Sequence, residues 1–237
     1  LCPACKSTGH KVVKRESFFN LYYCQKDKIF FKGSNFNAST SYSSNYFVED
    51  YKKQYGKTYE EDRPNIDRLN KDRLETLQTL MPPLKEKRNL LEIGCALGFF
   101  LDLAQKTQQF NTKGIEISSY AVDYATQKLG LGVTQEDFLK TTFDTPLYDS
   151  VAMWYYLEHN KNLDLLIQKV KESLKIGGIF ALSTPNAHGI SARKNPQQYV
   201  SRIPQDHYFE FSPKGLTTYL QNNGFKLEKI KVTGIHP

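Results

Sequence analysis

Twelve residues constrain this chain more than any others: Leu90-Leu91-Glu92-Ile93-Gly94-Cys95-Ala96-Leu97-Gly98-Phe99-Phe100-Leu101. An apolar run carrying one carboxylate enters a Gly-x-x-x-Gly turn, and apolar residues then recur at helical spacing through Leu101 and Ala104. A buried strand turning into a helix reads this way. The glycines let backbone approach a ligand closely, and a helix starting near Ala96 directs its free N–H groups and positive dipole end into the same space. A turn that needs small residues only for packing has the same glycines, so spacing has to choose between the two.

The dinucleotide fingerprint Gly-x-Gly-x-x-Gly would place glycines at 94, 96 and 99, where this chain has Gly94, Ala96 and Phe99. That argues against NAD. The pattern acid-x-Gly-x-Gly-x-Gly fits instead at Glu92, Gly94 and Gly98, with the small Ala96 in the middle. It resembles motif I of class I S-adenosylmethionine-dependent methyltransferases.

The neighbouring segments alternate strand and helix. Thr112-Lys113-Gly114-Ile115-Glu116-Ile117 is a short apolar run ending in a carboxylate, and Ser118 is placed to cap a helix reaching Leu129. Glu116 lies twenty-two residues past Gly94. An acid at a second strand tip, about 20 residues after such a turn, can accept from both hydroxyls of a ribose. A third strand is expected at Gly132–Gln135, a fourth at Tyr148–Trp154, a helix on the face Leu163, Leu166, Ile167, Val170 and Leu174, and a fifth strand at Ile179–Thr184 after Gly177-Gly178. A polar, basic loop then spans 187–205, Ser212-Pro213 opens a helix to Gly224, and Phe225–Val232 reads as a last strand. Ligands sit beyond the carboxyl ends of strands in open α/β sheets, so Trp154 and the loop Tyr155–His159 are expected to face cofactor and acceptor.

LLEIGCALGFFL, GIEIS, YDSVAMWYYLEH, LKIGGIFALSTPN and DHYFEFSPKGL together resemble, in order, the motifs of bacterial class I methyltransferases related to the ubiquinone-biosynthesis O-methyltransferases. The resemblance implies an α/β, Rossmann-like methyltransferase fold, a seven-stranded mixed sheet with helices on both faces; little of the given sequence follows Gly234, so the usual closing antiparallel strand is expected to be missing or truncated. It implies S-adenosylmethionine as cofactor, with the methionine part over Glu92, Gly94, Ala96 and Gly98, and the ribose on Glu116. By the same resemblance the adenine lies among Ile117, Asp137 and Phe138. It places His207 near the acceptor as a base, and His159 second. The quinone-pathway enzymes carry Glu-x-x-Glu-His after the fourth strand; here Tyr155 replaces the first glutamate while Glu158 and His159 remain. With the first glutamate replaced, the sequence leaves open whether a divalent ion is used in catalysis.

The amino-terminal part differs in chemistry. Cys2-Pro3-Ala4-Cys5 is a metal knuckle, and Cys24-Gln25-Lys26-Asp27 follows at zinc-ribbon spacing with Asp27 where the fourth cysteine belongs and His10 as the competing ligand. A structural zinc on Cys2, Cys5, Cys24 and Asp27 is expected, and ribbon-bearing members occur in the same branch. Cys95 reads as packing in the glycine turn. Residues 34–62 combine loop composition with Phe36, Tyr42, Tyr46, Phe47, Tyr51, Tyr55 and Tyr59, a strap or lid; Ile66, Leu69, Leu77 and Leu80 mark an amphipathic helix stopped by Pro82-Pro83. The expected division is 1–33 as a ribbon-like lobe, 34–87 as strap and helix, and 88–237 as the cofactor-binding domain.

A net charge of +7 favours acidic partners: nucleic acid, sugar nucleotides or phosphorylated substrates, or an anionic membrane surface. No apolar stretch approaches the ~18–20 residues of a spanning helix and no signal peptide is visible, so a cytoplasmic protein is expected. The leading expectation is methylation, at oxygen, of a small molecule or a glycan or lipid-linked precursor. A ribosomal-RNA methyltransferase gripping RNA through its ribbon, and a non-catalytic cofactor-binding module, are the two alternatives. Nothing in the pattern specifies an oligomeric state.

Overall fold

The computed structural model describes residues 1–33, 43–82 and 86–232. The Ser-rich start of the strap with Phe36 and Tyr42, the second proline Pro83, and the stretch from Thr233 past Gly234 lie outside the described residues. By contacts, described residues 43–154 and 164–182 form one compact unit, and 1–33, 155–163 and 183–232 form another. No described helix is long and apolar enough to cross a membrane.

The first unit carries the five-stranded sheet. In chain order its strands are β4 (Arg88–Ile93), β5 (Phe110–Glu116), β6 (Val133–Gln135), β7 (Tyr148–Trp154) and β8 (Leu174–Ser183), and in space the order is β6-β5-β4-β7-β8. β4 runs parallel to β5 and β7, and β5 to β6. Leu90, Leu91 and Ile93 on the central strand are fully buried, as a strand covered on both faces requires. α2 (Arg63–Leu80) leans on this sheet through Leu74 and Leu77, which pack with Met81, Leu90, Phe100 and Ala152. Its buried stripe is Ile66, Asn70, Leu74 and Leu77, so the expected face is correct at two positions and includes a polar residue that the spacing did not reveal.

Several expectations are corrected here. Within the strap, residues 43–62 include regular structure that loop composition did not announce: Tyr46–Asp50 form a π-helical turn that continues into α1 (Tyr51–Tyr55). Their aromatics bury surface on the core, with Phe47 among Ile66, Leu97, Phe99, Ala121 and Tyr124. The helix after the glycine turn, α3 (Phe99–Lys106), starts three residues later than expected because Ala96 and Gly98 both take positive φ, 48° and 82°. Ser118 does cap α4 (Ser119–Asp123), accepting from Ala121 N, and a π-helical stretch then runs Tyr124–Lys128. α5 (Leu163–Ser173) gives way directly to β8, so the Gly177-Gly178 pair lies inside a strand instead of ending the helix.

The second unit is built on an antiparallel sheet, β1 (His10–Arg15), β2 (Asn20–Cys24), β3 (Ile29–Lys32) and β9 (Phe209–Phe211). β9 pairs Phe211 with Ile29 and Phe209 with Phe31, so the amino-terminal sheet is completed by a strand from near the carboxyl end. Too few apolar residues lie between Lys6 and Tyr23 to bury a core, and β9 supplies two phenylalanines. α8 (Pro213–Asn222) starts as expected, with Ser212 accepting from Gly215 N and Pro213 in the first turn. The 187–205 segment is not a bare loop: it contains α6 (Ile190–Lys194) and α7 (Pro196–Arg202), the latter capped by Asn195. Residues 225–232 are not a strand. Leu227, Ile230 and Val232 are 45, 51 and 63% exposed, and among the described residues no neighbouring strand receives them. The sheet therefore has five described strands, not seven.

Candidate functional site

In the first unit, the glycine turn is held by a carboxylate. Gly94 N donates to Ile115 O at 2.8 Å, tying the turn to β5. Glu116, at the tip of β5, accepts from Ala96 N at 2.9 Å through Oε2, and from Ile117 N and Ser118 N at 2.8 and 2.9 Å through Oε1. Ala96 can present its N–H this way only because its φ is positive, and a residue without a branched side chain tolerates that conformation best. Cys95 is buried behind the turn with Leu101, Ala125 and Leu131, in the packing role expected of it.

Glu92 is 3% exposed, and its Oε2 has no hydrogen-bond partner. Burial pushes its carboxyl well above the usual range; the Arg73 charge pulls it back, and neighbouring Glu116 raises it further. Arg73 lies on α2, donates to Asn70 Oδ1 at 2.9 Å, and stacks 4.6 Å from the Trp154 ring centre. Trp154 also packs edge-on against Phe100 at 5.1 Å, and its Nε1 is buried without a partner. Tyr59 faces Phe99 at 5.6 Å and Phe47 at 5.6 Å; burial drives its hydroxyl pKa far up, with Tyr46 and Glu92 adding to the effect.

The expected adenine residues are divided. Ile117 is 57% exposed beside the β5 tip, whereas Phe138 is 1% exposed and packs on Phe143. Asp137 caps a short 3-10 turn by accepting from Leu139 N at 3.0 Å, and its other oxygen lies 3.5 Å from Lys140 Nζ.

In the second unit, the two expected histidines come together. Their rings are 4.7 Å apart and perpendicular, and each has a carboxylate at Nδ1: Glu210 at 2.6 Å from His207, and Asp206 at 3.1 Å from His159. Tyr199 OH donates to the other oxygen of Glu210, which is 2% exposed. Burial raises Asp206, but the hydrogen bond and charge of His159 outweigh it and bring the carboxyl to about 2. Glu158 is 1% exposed; burial raises it to about 7 against the pull of His159 and nearby Thr184. Sequence reasoning missed Arg73, Asn70, Glu210, Tyr199 and Asp206. The signals were a polar pair, Asn70 and Arg73, inside an amphipathic stripe, and an acid three residues after a histidine.

The four expected metal ligands also converge: one ligand atom from each of Cys2, Cys5, Cys24 and Asp27 lies within 4.8 Å of the others. Cys2 Sγ and Cys24 Sγ are 3.3 and 3.6 Å from Asp27 Oδ2, and Cys5 Sγ is 3.8 Å from Cys24 Sγ. His10, the competing ligand, packs instead between the rings of Tyr22 and Phe31 at 4.8 and 5.3 Å. Burial raises the Cys2 thiol, while hydrogen bonds from the cysteines hold Asp27 low in spite of its own burial.

Comparison with known proteins follows the same lines. Among solved structures, an S-adenosylmethionine-dependent methyltransferase of Thermotoga maritima superposes with a TM-score of 0.56 at 17% identity, covering 71% of this chain and 76% of that one. One from Archaeoglobus fulgidus gives 0.54 at 20%, covering 78% and 84%. Haemonchus contortus phosphoethanolamine N-methyltransferase 2, solved with S-adenosyl-L-methionine, gives 0.53 at 19%, covering 65% of this chain and 36% of that one. At these identities the likeness is one of fold. No curated protein sequence matches at a significant level. A sequence family described as a methyltransferase domain matches residues 59–230, from Tyr59 through the glycine turn and both histidines, and this chain therefore belongs to it as a class I S-adenosylmethionine-dependent methyltransferase.

Proposed function

We propose that the chain methylates a hydroxyl group of a small acceptor, with a sugar or lipid-linked glycan precursor as the acceptor class by analogy with ribbon-bearing relatives. The observation that carries the hydroxyl reading is the His207–Glu210 pair. An imidazole whose Nδ1 is held by a buried carboxylate keeps Nε2 as the nitrogen that takes a proton, and the carboxylate stabilises the imidazolium that results. S-adenosylmethionine supplies an already electrophilic methyl group. The protein then has to orient the nucleophile and remove its proton. Glu92, Gly94, Ala96 and Gly98 would hold the amino-acid end, Glu116 the ribose, and Ile117, Asp137, Phe138 and Trp154 would border the rest. His159, held by Asp206, supports the His207 ring.

Cys2, Cys5, Cys24 and Asp27 fit a zinc ion. Tetrahedral zinc with bonds of about 2.3 Å to sulfur and about 2.0–2.2 Å to oxygen separates its ligands by roughly 3.5–3.8 Å, close to the spacings of this cluster. The role is structural, since four protein ligands leave no open position.

The test is calorimetric titration with S-adenosylhomocysteine, followed by incubation of methyl-labelled cofactor with small-molecule and RNA fractions. Labelled product of low mass is expected. Label appearing in RNA would overturn the small-acceptor reading, and absence of cofactor binding would overturn the whole assignment.

A further inference from the structure

Lys32, the last residue of β3, is 5% exposed, and neither the core nor the chemistry proposed above uses a charge at that position. Lysine is seldom buried, because its ammonium must give up its hydration. Burial lowers this one to about 8, Asp206 and Glu210 pull it back up, and the Phe19 ring lies 4.5 Å from Nζ. An aliphatic side chain would end the strand at less cost, so the role of the lysine lies in what its ammonium holds.

It holds the backbone immediately before the proposed base. Nζ donates to Pro204 O at 2.8 Å and to Gln205 O at 2.6 Å, the two carbonyls that precede Asp206-His207. Pro204 O also accepts from His207 N at 3.2 Å, so a single carbonyl joins the lysine to the histidine backbone. Phe30 and Glu210 are register partners, and strand alternation puts Lys32, two residues beyond Phe30, on the face that carries Glu210. Glu210 in turn lies 2.6 Å from His207 Nδ1. The lysine fixes the backbone under the imidazole, and the β3–β9 ladder fixes its carboxylate partner.

The far end of the same segment is tied to the cysteine cluster. Ser212 Oγ donates to Asp27 O at 3.1 Å, and Ser212 N donates to Lys28 O at 3.2 Å. Gly215 packs so closely here that a Cβ would collide with Asp27 O. Asp27 therefore offers its carboxylate to the thiols and its carbonyl to the segment that carries His207. Residues 204–215 are gripped at both ends by the amino-terminal lobe.

We infer that, on the reading of His207 as the base and of the cysteine cluster as a zinc site, Lys32 is a positioning residue for His207. Through Lys32 and the Asp27–Ser212 contact, the metal lobe sets the geometry of the base. The base then depends on the metal, whereas the proposed cofactor residues, which belong to the other unit, do not.

The test follows the proton between His207 Nδ1 and Glu210 by NMR. A short, charge-assisted hydrogen bond gives a resonance downfield of the amide protons, assigned here by its absence from His207→Gln. Lys32→Met should lose this resonance, and Lys32→Arg, which keeps N–H donors for both carbonyls, should retain it. Both variants should bind S-adenosylhomocysteine within about twofold of the parent by calorimetry, since no contact to the cofactor site changes. Stripping zinc from the parent with a chelator should remove the resonance, and added zinc chloride should restore it. An unchanged resonance in Lys32→Met would overturn the inference, as would its persistence in the stripped parent. Loss in Lys32→Arg as well as in Lys32→Met would make position 32 a matter of packing alone and overturn it too. Because the resonance reports where the ring sits, these results are separable from the turnover of His207→Ala, which tests the catalytic reading.

Discussion

Replacing Glu116 with alanine probes the most connected side chain of the proposed cofactor site. Three backbone N–H groups converge on its carboxylate, two on Oε1 and one on Oε2. A carboxylate offers about four lone-pair positions, so one, on Oε2, is left for a ribose hydroxyl. A hydrogen bond to a charged group contributes about 1.5–3 kcal/mol, so the alanine variant should lose at least about tenfold in S-adenosylhomocysteine affinity. The same change leaves three N–H groups without their acceptor at a site only 7% exposed. At about 1 kcal/mol each the cost is about 3 kcal/mol, and for a chain of this size that lowers Tm by roughly 6–12 °C. Glutamine keeps an oxygen for Ile117 and Ser118 but turns an NH2 group toward Ala96 N–H, so it should lose about a third of that stability. Thermal unfolding combined with calorimetry reads both effects. An alanine variant with parental affinity would remove Glu116 from the site; one that loses affinity with an unchanged Tm would contradict the clasp on Ala96.

Three further outcomes are expected. His207→Ala should lower turnover by about 10²-fold with cofactor affinity nearly intact, and equal losses in both would point to a structural histidine. Glu158 has its folded pKa raised by burial from 4.5 to about 7, so the stability conferred by its protonated form is complete below about pH 4.5 and is lost as pH rises through 7; Glu158→Gln should flatten this dependence, and parallel denaturation midpoints for both proteins from pH 5 to 8 would refute the assignment. Metal analysis of protein purified without chelator should find one zinc per chain, retained more tightly in Asp27→Cys and lost in Cys24→Ser. No zinc in the parent but zinc in Asp27→Cys would mean that the lobe stands by packing alone.

The parallel sheet was legible because β4 and β7 carry apolar runs and local signals bound the strands, the glycine turn after β4 and the Ser118 cap after β5; Ser212-Pro213 marked the start of α8 in the other unit in the same way. Such signals act within a few residues, and the structure retains them. The segments that misled were those whose state depends on a distant neighbour. Phe225–Val232 has strand composition, but an alternating segment becomes a strand only beside an edge that accepts it. The 43–62 segment has loop composition, yet its aromatics form helical turns because Phe47 and Tyr59 can cover Phe99.

For the site the division is similar. Sequence alone determined the chemistry on offer: an acid and glycines at cofactor spacing, three cysteines with an aspartate at ribbon spacing, and a histidine ahead of the last helix. Ribbon spacing already named Asp27 ahead of His10, and the tertiary structure brings Asp27 to the three thiols and holds His10 between Tyr22 and Phe31. The tertiary structure alone paired His207 with Glu210 and His159 with Asp206, and carried Arg73 over Trp154 from eighty-one residues away. Spacing along the chain records what a strand tip or a turn will present, whereas the partner of a buried charge is selected by which surfaces the hydrophobic core brings together.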